Sequence, residues 1–507
     1  MTEARLTRLR PVTAAEAAMI GFLSGGARSS FFAVRAVLLL SQAEIDQNRP
    51  LFARATLVGH CTTEVRAAAA AHRHLMATLR FGPPSSIASE ARVPGDKSIS
   101  HRALLFSACA RGTTTIEGSN RGDDVNTTIR ALRALGIEVH EDTSFVRVAG
   151  GEFTGDAGTI ECANSGTTMR LLMGALAGRT ACTLDGDASL RRRPMERVAE
   201  PLRMMGAAIE TAAGGVPPVI LRRGGDLRAI DYALPVASAQ LKSAILLAAL
   251  RADGITTVRS RRAARDHTER MLAAMGAALR TERNATSIEA GPLRALERIV
   301  VPGDPSAAIF FLVAAAMMPG AAVDITGVCV NPTRTAAFDV MRSMGAGIEI
   351  QATGVEHGEP VATIAIEGGS KLRGFAITPS MVSGLIDEIP ALCALAALAG
   401  GESVVREASE LRVKESDRIA STVRLLRAFG AEAREVADGI IVRGGSPLRE
   451  PPVIDTHGDH RIGMTAAALA AAVGVPVEIR DAACISTSFP DFADRWSDAF
   501  GTSVSIL

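Results

Sequence analysis

The chain has 507 residues, 47% of them hydrophobic, 21% charged and 4% aromatic, and its 55 Lys and Arg against 54 Asp and Glu leave a formal net charge of +1. A chain of this length can bury the cores of two large or several small domains without disulfides or metals. The balanced charge excludes a global basic field for nucleic acid or an anionic membrane, and the scarce aromatics exclude base-stacking platforms, so any anion must be held locally.

Residues 1–80 carry ten Arg, no Lys and five acids, unlike the remainder, whose first lysine is Lys97. The acids and the alanine run 67–71 fit a transit peptide poorly. Met76, 21 residues before Lys97, offers an alternative start. Residues 1–85 are therefore expected to be an extension, poorly ordered or ahead of the true start. The apolar stretch 31–40 is interrupted by Arg35 and is far short of the roughly 20 residues a spanning helix needs, so no membrane partner is expected. Seven scattered cysteines without a CxxC pair or a Cys/His cluster predict a reduced, cytoplasmic chain with no metal site.

From residue 86 onward one phrase recurs, the end of an amphipathic helix closed by Gly136, Gly206, Gly276, Gly345 and Gly430, at spacings of 70, 70, 69 and 85. Glycine suits a left-handed C-terminal cap because it has no Cβ. The alternating runs that follow, such as Ile137-Glu-Val-His and Ala346-Gly-Ile-Glu-Ile, predict strands. Between the phrases, the Ala/Leu-rich stretches 169–177, 239–250, 307–318, 389–399 and 462–473 predict helices buried on most sides. A period near 70 is too long for a solenoid unit and suits a small α/β subdomain repeated several times.

Charged or small polar residues stand where these helices begin. Lys97-Ser-Ile-Ser-His-Arg102 follows Val93-Pro-Gly-Asp96, read as a strand ending in a tight turn, and precedes an apolar helix at 103–110. Cations and hydroxyls at a helix start suit a phosphate or carboxylate, although a lysine there is more often a solvated cation. In Asn164-Ser-Gly-Thr-Thr-Met-Arg170, backbone N–H groups around Gly166 can approach an anion, or the segment is a plain N-cap. Pro194 fixes the backbone after Arg191-Arg-Arg193 and can aim one arginine inward. Ser238 reads as the N-cap of the helix opened by Ala239-Gln240. Asp387-Glu388 stands where a helix dipole favours carboxylates without any function. Lys414-Glu-Ser-Asp-Arg418 places Lys414 and Arg418 at i,i+4 if helical, as in a surface ion-pair ladder. Asp459-His-Arg461 puts a further cation at a helix entrance. Helix starts converging on one cleft would concentrate positive potential there, and the implied ligand is small and polyanionic.

Together with Arg193-Pro194, Arg412-Val-Lys-Glu-Ser-Asp-Arg418 and Thr487-Ser-Phe-Pro490, these strings occur in an order that closely resembles the 5-enolpyruvylshikimate-3-phosphate synthase family, in its divergent bacterial branch. The resemblance implies an α/β protein with the two-domain, inverted α/β barrel-like enolpyruvyltransferase fold, each domain built of three βαβαββ units. One domain is expected at 97–302 and the other at 86–96 with 303–507, with hinge crossings near Asp96 and Pro302-Gly303. The implied reaction transfers the enolpyruvyl group of phosphoenolpyruvate to the 5-hydroxyl of shikimate 3-phosphate through a tetrahedral ketal, releasing phosphate, with no cofactor. A monomer is expected, because each domain would enclose its own helices.

The same resemblance implies roles. Lys97, Gly166, Arg193, Gln240, Arg418 and Arg461 look like the phosphoenolpyruvate site. Lys97, Ser98, Arg102, Ser238, Ala239, Gln240, Arg265, Asp387 and Lys414 look like the shikimate 3-phosphate site. Asp387 stands in the place of the base on the 5-hydroxyl, and Glu415 with Lys97 in that of the acid that protonates the methylene. Several positions depart from the common pattern: Thr487 replaces a lysine, Ala239 a hydroxyl, and Ala264 a serine, with Arg265 expected to supply that phosphate contact. Glyphosate occupies the phosphoenolpyruvate site in this family, where an alanine at the position of Gly166 is one way to exclude it. The related UDP-N-acetylglucosamine enolpyruvyltransferases carry a loop cysteine that the region 191–195 lacks. A catalytically silent anion-binding relative would be expected to have lost Lys97, Asp387 or Glu415.

Overall fold

The structure, a computed structural model, describes residues 78–507. The readings of Met76 and of the Arg-rich leader lie outside the described residues. Among the described residues there are six four-stranded sheets, and no two of them merge into a closed barrel. Every sheet extends one parallel pair on one side by two antiparallel strands, which form a hairpin in five sheets and in the sixth are Leu79–Phe81 and Val504–Ile506, far apart in the chain. The unit behind it reads strand, buried helix, parallel strand, amphipathic helix, glycine and hairpin, as in 156–221, where the helices are Gly166–Leu176 and Glu196–Met204.

The glycines that close the amphipathic helices are left-handed as expected, with φ of 82°, 104°, 83°, 99° and 90° at Gly136, Gly206, Gly276, Gly345 and Gly430. In four of the units an arginine in the last helical turn reaches over the glycine to a strand carbonyl six residues on: Arg133 to Val139, Arg203 to Ile209, Arg342 to Ile348 and Arg427 to Ala433. That contact satisfies an orphan acceptor and fixes the angle between helix and hairpin. A sixth instance ends the helix Phe492–Phe500 at Gly501, φ 58°, ahead of the strand Val504–Ile506.

The sheets and helices enclose two hydrophobic cores. One gathers apolar residues from Ile99 to Val301 with Cys329; the other gathers Phe81, Ala91 and residues from Ala307 to Phe500. Glu90–Ala91 pairs in parallel with Asp324 and Ile325, so a strand that precedes the first core serves the second. The two crossings touch where the Asp96 N–H donates to the Pro302 carbonyl at 2.8 Å. There a Cβ on Gly95 would lie 1.9 Å from the Gly118 carbonyl oxygen, so only glycine fits.

Three expectations need correction. Residues 78–85 do not lie outside the folded body: Leu79–Phe81 is a strand of the sixth sheet, paired with Val477–Arg480 and Val504–Ile506, and Phe81 is buried. The strand expected at 93–96 ends at Ala91, since Pro94 has no N–H for a ladder, and Gly95 makes a single bridge to Gly303. The stretch 414–417 is not helical. The helix Arg418–Ala428 starts after it, capped by Asp417, so Lys414 and Arg418 are not a helical ladder pair.

Candidate active site

Three buried helices run through each core, and all six begin at one cavity of about 680 Å³. Side-chain caps start five of them: Asp96 accepts from Ile99 N, Ser165 from Thr168 N, Ser238 from Leu241 N, Asp304 from Ser306 N and Asp459 from Arg461 N. The positive ends of their dipoles therefore meet in one space. The helix Lys97–Cys109 begins at Lys97 rather than at 103, which brings Ser98 and Arg102 onto its first turns. All fourteen side chains singled out above line the cavity: Lys97, Ser98, Arg102, Gly166, Arg193, Ser238, Ala239, Gln240, Arg265, Asp387, Lys414, Glu415, Arg418 and Arg461.

Twelve Lys and Arg line it against seven Asp and Glu, a concentrated positive charge in a protein that is neutral overall. Lys97 Nζ lies 2.9 Å from Asp124 Oδ2. Arg102 is buried and donates to Thr268 Oγ1, Ser98 O and Ser243 Oγ, and burial pulls its pKa down to about 10. Of the three consecutive arginines, Arg191 turns outward to Asp185 while Arg193 turns in, onto Asn164 O at 3.2 Å and Asn164 Oδ1. Gln240 Nε2 donates to Thr167 Oγ1 at 2.9 Å, and its Oε1 accepts from Arg170 at 2.6 Å.

Asp387 is surrounded by cations, accepting from Arg265 Nη2 at 2.8 Å and Arg418 Nη1 at 3.0 Å with Lys414 at 3.6 Å and Arg461 at 3.9 Å. Burial pushes its carboxyl upward, yet Lys414, Arg461, Arg265 and Arg418 outweigh burial and hold it well below the usual range. Glu415 accepts from Arg418 Nη2 at 2.5 Å and is likewise held low against burial, by Arg418, Arg193, His460 and Lys97. Arg418 has a third acid on its Nε, Asp459 at 2.8 Å. Acid and base candidates thus share one guanidinium.

Five arginines of the cavity wall, Arg170, Arg193, Arg197, Arg334 and Arg461, keep a buried Nε with no acceptor. Such orphan donors are costly unless something supplies oxygen atoms to them. Among the described residues no three His, Cys, Asp or Glu side chains are grouped to hold a metal ion.

The family model of EPSP synthase (3-phosphoshikimate 1-carboxyvinyltransferase) matches residues 82–496. The chain belongs to the EPSP synthase family. It is 45% identical over 421 residues to the 3-phosphoshikimate 1-carboxyvinyltransferase of Pelotomaculum thermopropionicum, across 82% of this chain and 97% of that one. It is 46% identical over 418 residues to that of Methylococcus capsulatus, across 82% and 95%. Among solved structures, an EPSP synthase from Acinetobacter baumannii superposes with a TM-score of 0.75 at 40% identity, over 84% of this chain and all of that one. The enolpyruvyl transferase NikO from Streptomyces tendae, at 17% identity and a TM-score of 0.69, covers 85% of this chain and 99% of its own and shares the fold.

The cavity also holds residues that motif reading passes over. Asp124 follows Asp123 at a helix start and is legible there only as dipole chemistry; the structure makes it the partner of Lys97. Arg170 ends a quoted motif but was given no role, and it ties Gln240 to the Pro194 carbonyl, with its pKa pulled down to about 9 by burial and by Arg197 and Arg193. Arg197 pairs with Glu410 across the cavity at 3.1 Å. His460 is buried with both ring nitrogens unpartnered, and burial and the cations beside it push its pKa well down. Asp304 and Arg334 carry no local signal at all.

Proposed function

We propose that this chain carries out the reaction its family is named for, transfer of the enolpyruvyl group of phosphoenolpyruvate to the 5-hydroxyl of shikimate 3-phosphate, and that the fourteen cavity residues divide the work. The single observation that supports this most strongly is the cationic cavity in which two carboxylates, Asp387 and Glu415, face the same buried guanidinium. Two substrates carrying phosphate and carboxylate groups match twelve cations and the orphan Nε donors.

In this reading Lys97, Gly166, Arg193, Gln240, Arg418 and Arg461 hold phosphoenolpyruvate. Lys97, Ser98, Arg102, Ser238, Ala239, Gln240, Arg265, Asp387 and Lys414 hold shikimate 3-phosphate. Asp387, ionised in its ring of cations, takes the proton of the 5-hydroxyl as that oxygen attacks C2 of phosphoenolpyruvate. A proton from Glu415, with Lys97 beside it, goes to the methylene carbon, giving the tetrahedral ketal. Removal of a proton from the resulting methyl group then expels phosphate and restores the enol ether.

The segment 97–302 closes on 86–96 with 303–507, excluding water and strengthening each charge contact. We also assign the chain a monomeric, cytoplasmic life. Consistent with that, the cysteines of the described residues are free thiols, and among those residues no helix is long and apolar enough to cross a membrane. Among the described residues no cysteine lines the cavity, which does not favour the UDP-N-acetylglucosamine reaction. The test is phosphate release by purified protein given phosphoenolpyruvate with either shikimate 3-phosphate or UDP-N-acetylglucosamine. Release with the first acceptor alone is expected; release with the second alone, or with neither, overturns the reading.

A further inference from the structure

Arg334 lies outside every motif singled out in the sequence, in the loop before the helix Ala336–Met344, and its side chain is 1% exposed. Its guanidinium spends four of its five N–H groups on four different residues. Nη1 donates to Asp96 Oδ2 at 2.5 Å and to His267 Nε2 at 3.2 Å, and Nη2 donates to Ser306 Oγ at 2.8 Å and Asp304 Oδ1 at 3.0 Å.

Each partner is joined at once to a cavity residue. Asp96 precedes Lys97 and with its other oxygen caps the Lys97–Cys109 helix, while Asp304 Oδ2 accepts from the Lys97 backbone N–H at 3.1 Å. His267 stands two residues after Arg265. An arginine only donates, so His267 Nε2 accepts and Nδ1 carries the proton, which it donates to Glu359 Oε1 at 2.8 Å. Ser306 Oγ accepts from Arg334 and passes its own hydrogen to Glu388 Oε1, the neighbour of Asp387. Three short paths therefore leave one guanidinium, toward Lys97, Arg265 and Asp387.

We propose that Arg334 is a positioning residue that holds Lys97, Arg265 and Asp387 in register across the closed cavity. The inference rests on the reading of the site given above and extends it to a residue of the cavity wall that this reading assigns to neither substrate. Only a planar fork with donors at fixed angles can serve four acceptors around one centre; a lysine ammonium carries three donors on a flexible stem. A reacting geometry displaced by about 1 Å costs on the order of 100-fold in rate, so the network acts on turnover more than on binding.

The experiment compares Arg334→Lys and Ser306→Ala with the parent chain by thermal melting, calorimetric binding of shikimate 3-phosphate, and phosphate-release kinetics. Folded variants are expected to bind shikimate 3-phosphate within about threefold of the parent while kcat falls about 100-fold in Arg334→Lys and about tenfold in Ser306→Ala. Parental kcat in either folded variant overturns the proposal, and so does a rise in KM with kcat retained. If Arg334→Lys does not fold, Ser306→Ala decides alone. A parent chain that releases no phosphate sinks the reading of the site, whereas an active parent with indifferent variants sinks only the role of Arg334.

Discussion

Arg193 Nη1 lies 3.9 Å from Glu415 Oε1, one side chain rising from the half built on the Ile99–Val301 core and the other from the half built on the second core. Arg418 holds the other oxygen of the same carboxylate. Burial alone would raise the Glu415 carboxyl, but Arg418, Arg193, His460 and Lys97 reverse that and hold it ionised. Bound phosphate and carboxylate groups would neutralise those cations and let burial prevail. On the proposed reading, Glu415 holds a proton only when both substrates are present.

Glu415→Gln keeps an oxygen acceptor for Arg418 and loses the transferable proton. Calorimetry should find shikimate 3-phosphate bound about as in the parent, and phosphate release should slow by roughly 10²–10⁴-fold, the usual worth of a general acid. Unaltered turnover would remove Glu415 from the mechanism.

Acid should weaken the fold in two stages. His101 and His460 are buried with pKa values pushed well down, first by burial and then by Lys97 and other cations, so they resist protonation that the unfolded chain accepts. Stability should therefore begin to fall as pH drops through about 6.5, the ordinary histidine value. Asp96 gives the second stage. Burial pushes it up, but Arg334, His267 and the Ile99 N–H hold it at about 2, against 3.8 in its ordinary state. Its contribution, about 2 kcal/mol, is present above pH 4 and disappears between pH 4 and 2; Asp387 and Glu415 act in the same direction. Melting temperatures across pH 7 to 3 read both stages. In Asp96→Asn the slope below pH 4 should be shallower, and an unchanged slope would exclude Asp96 as a source.

The helix entrances are legible in the sequence because their signal is local: Ser165, Ser238 and Asp459 are caps, and the glycines that close the amphipathic helices need left-handed φ whatever surrounds them. The sixth glycine phrase, at Gly501, escapes because Ser497 stands four residues before the glycine, where the others carry Leu or Met. Lys414 and Glu415 look like part of a helix by spacing, yet Asp417 caps the helix behind them and leaves both in a loop that faces the cavity. Arg334, Asp304 and Asp124 are illegible for a different reason, since their meaning lies in partners 27 to 238 residues away along the chain.

Leu79–Phe81 shows the same limit and yields a stability prediction. Three residues cannot display an alternation, and their partners lie around 478 and 505. Phe81 packs its ring 6.0 Å from Phe492, itself in contact with Phe311, Phe489 and Trp496. Phe81→Ala should therefore cost about 3–5 kcal/mol, as for a buried core phenylalanine. Urea unfolding monitored by Trp496 fluorescence reads it, and a loss under about 1 kcal/mol would detach this strand from the core.

Gly166 opens a helix at the cavity, where a Cβ would lie 3.0 Å from Arg170 Nη1 and 3.4 Å from Arg193 Nη1. Both atoms are the far ends of flexible side chains, so Gly166→Ala should fold normally and push the two guanidiniums by a few tenths of an ångström. That displacement narrows the space assigned to phosphoenolpyruvate and disturbs the Arg170 contact with Gln240. The KM for phosphoenolpyruvate should rise by about tenfold, with the KM for shikimate 3-phosphate little changed. Glyphosate, placed in the same space by the family resemblance, should lose more, because it lacks a reacting group whose developing charge could recover the contact in a transition state. Inhibition constants measured for the parent and Gly166→Ala decide this: a ratio near one means that the methyl meets no ligand, and the assignment of Gly166 to the phosphoenolpyruvate site fails with it.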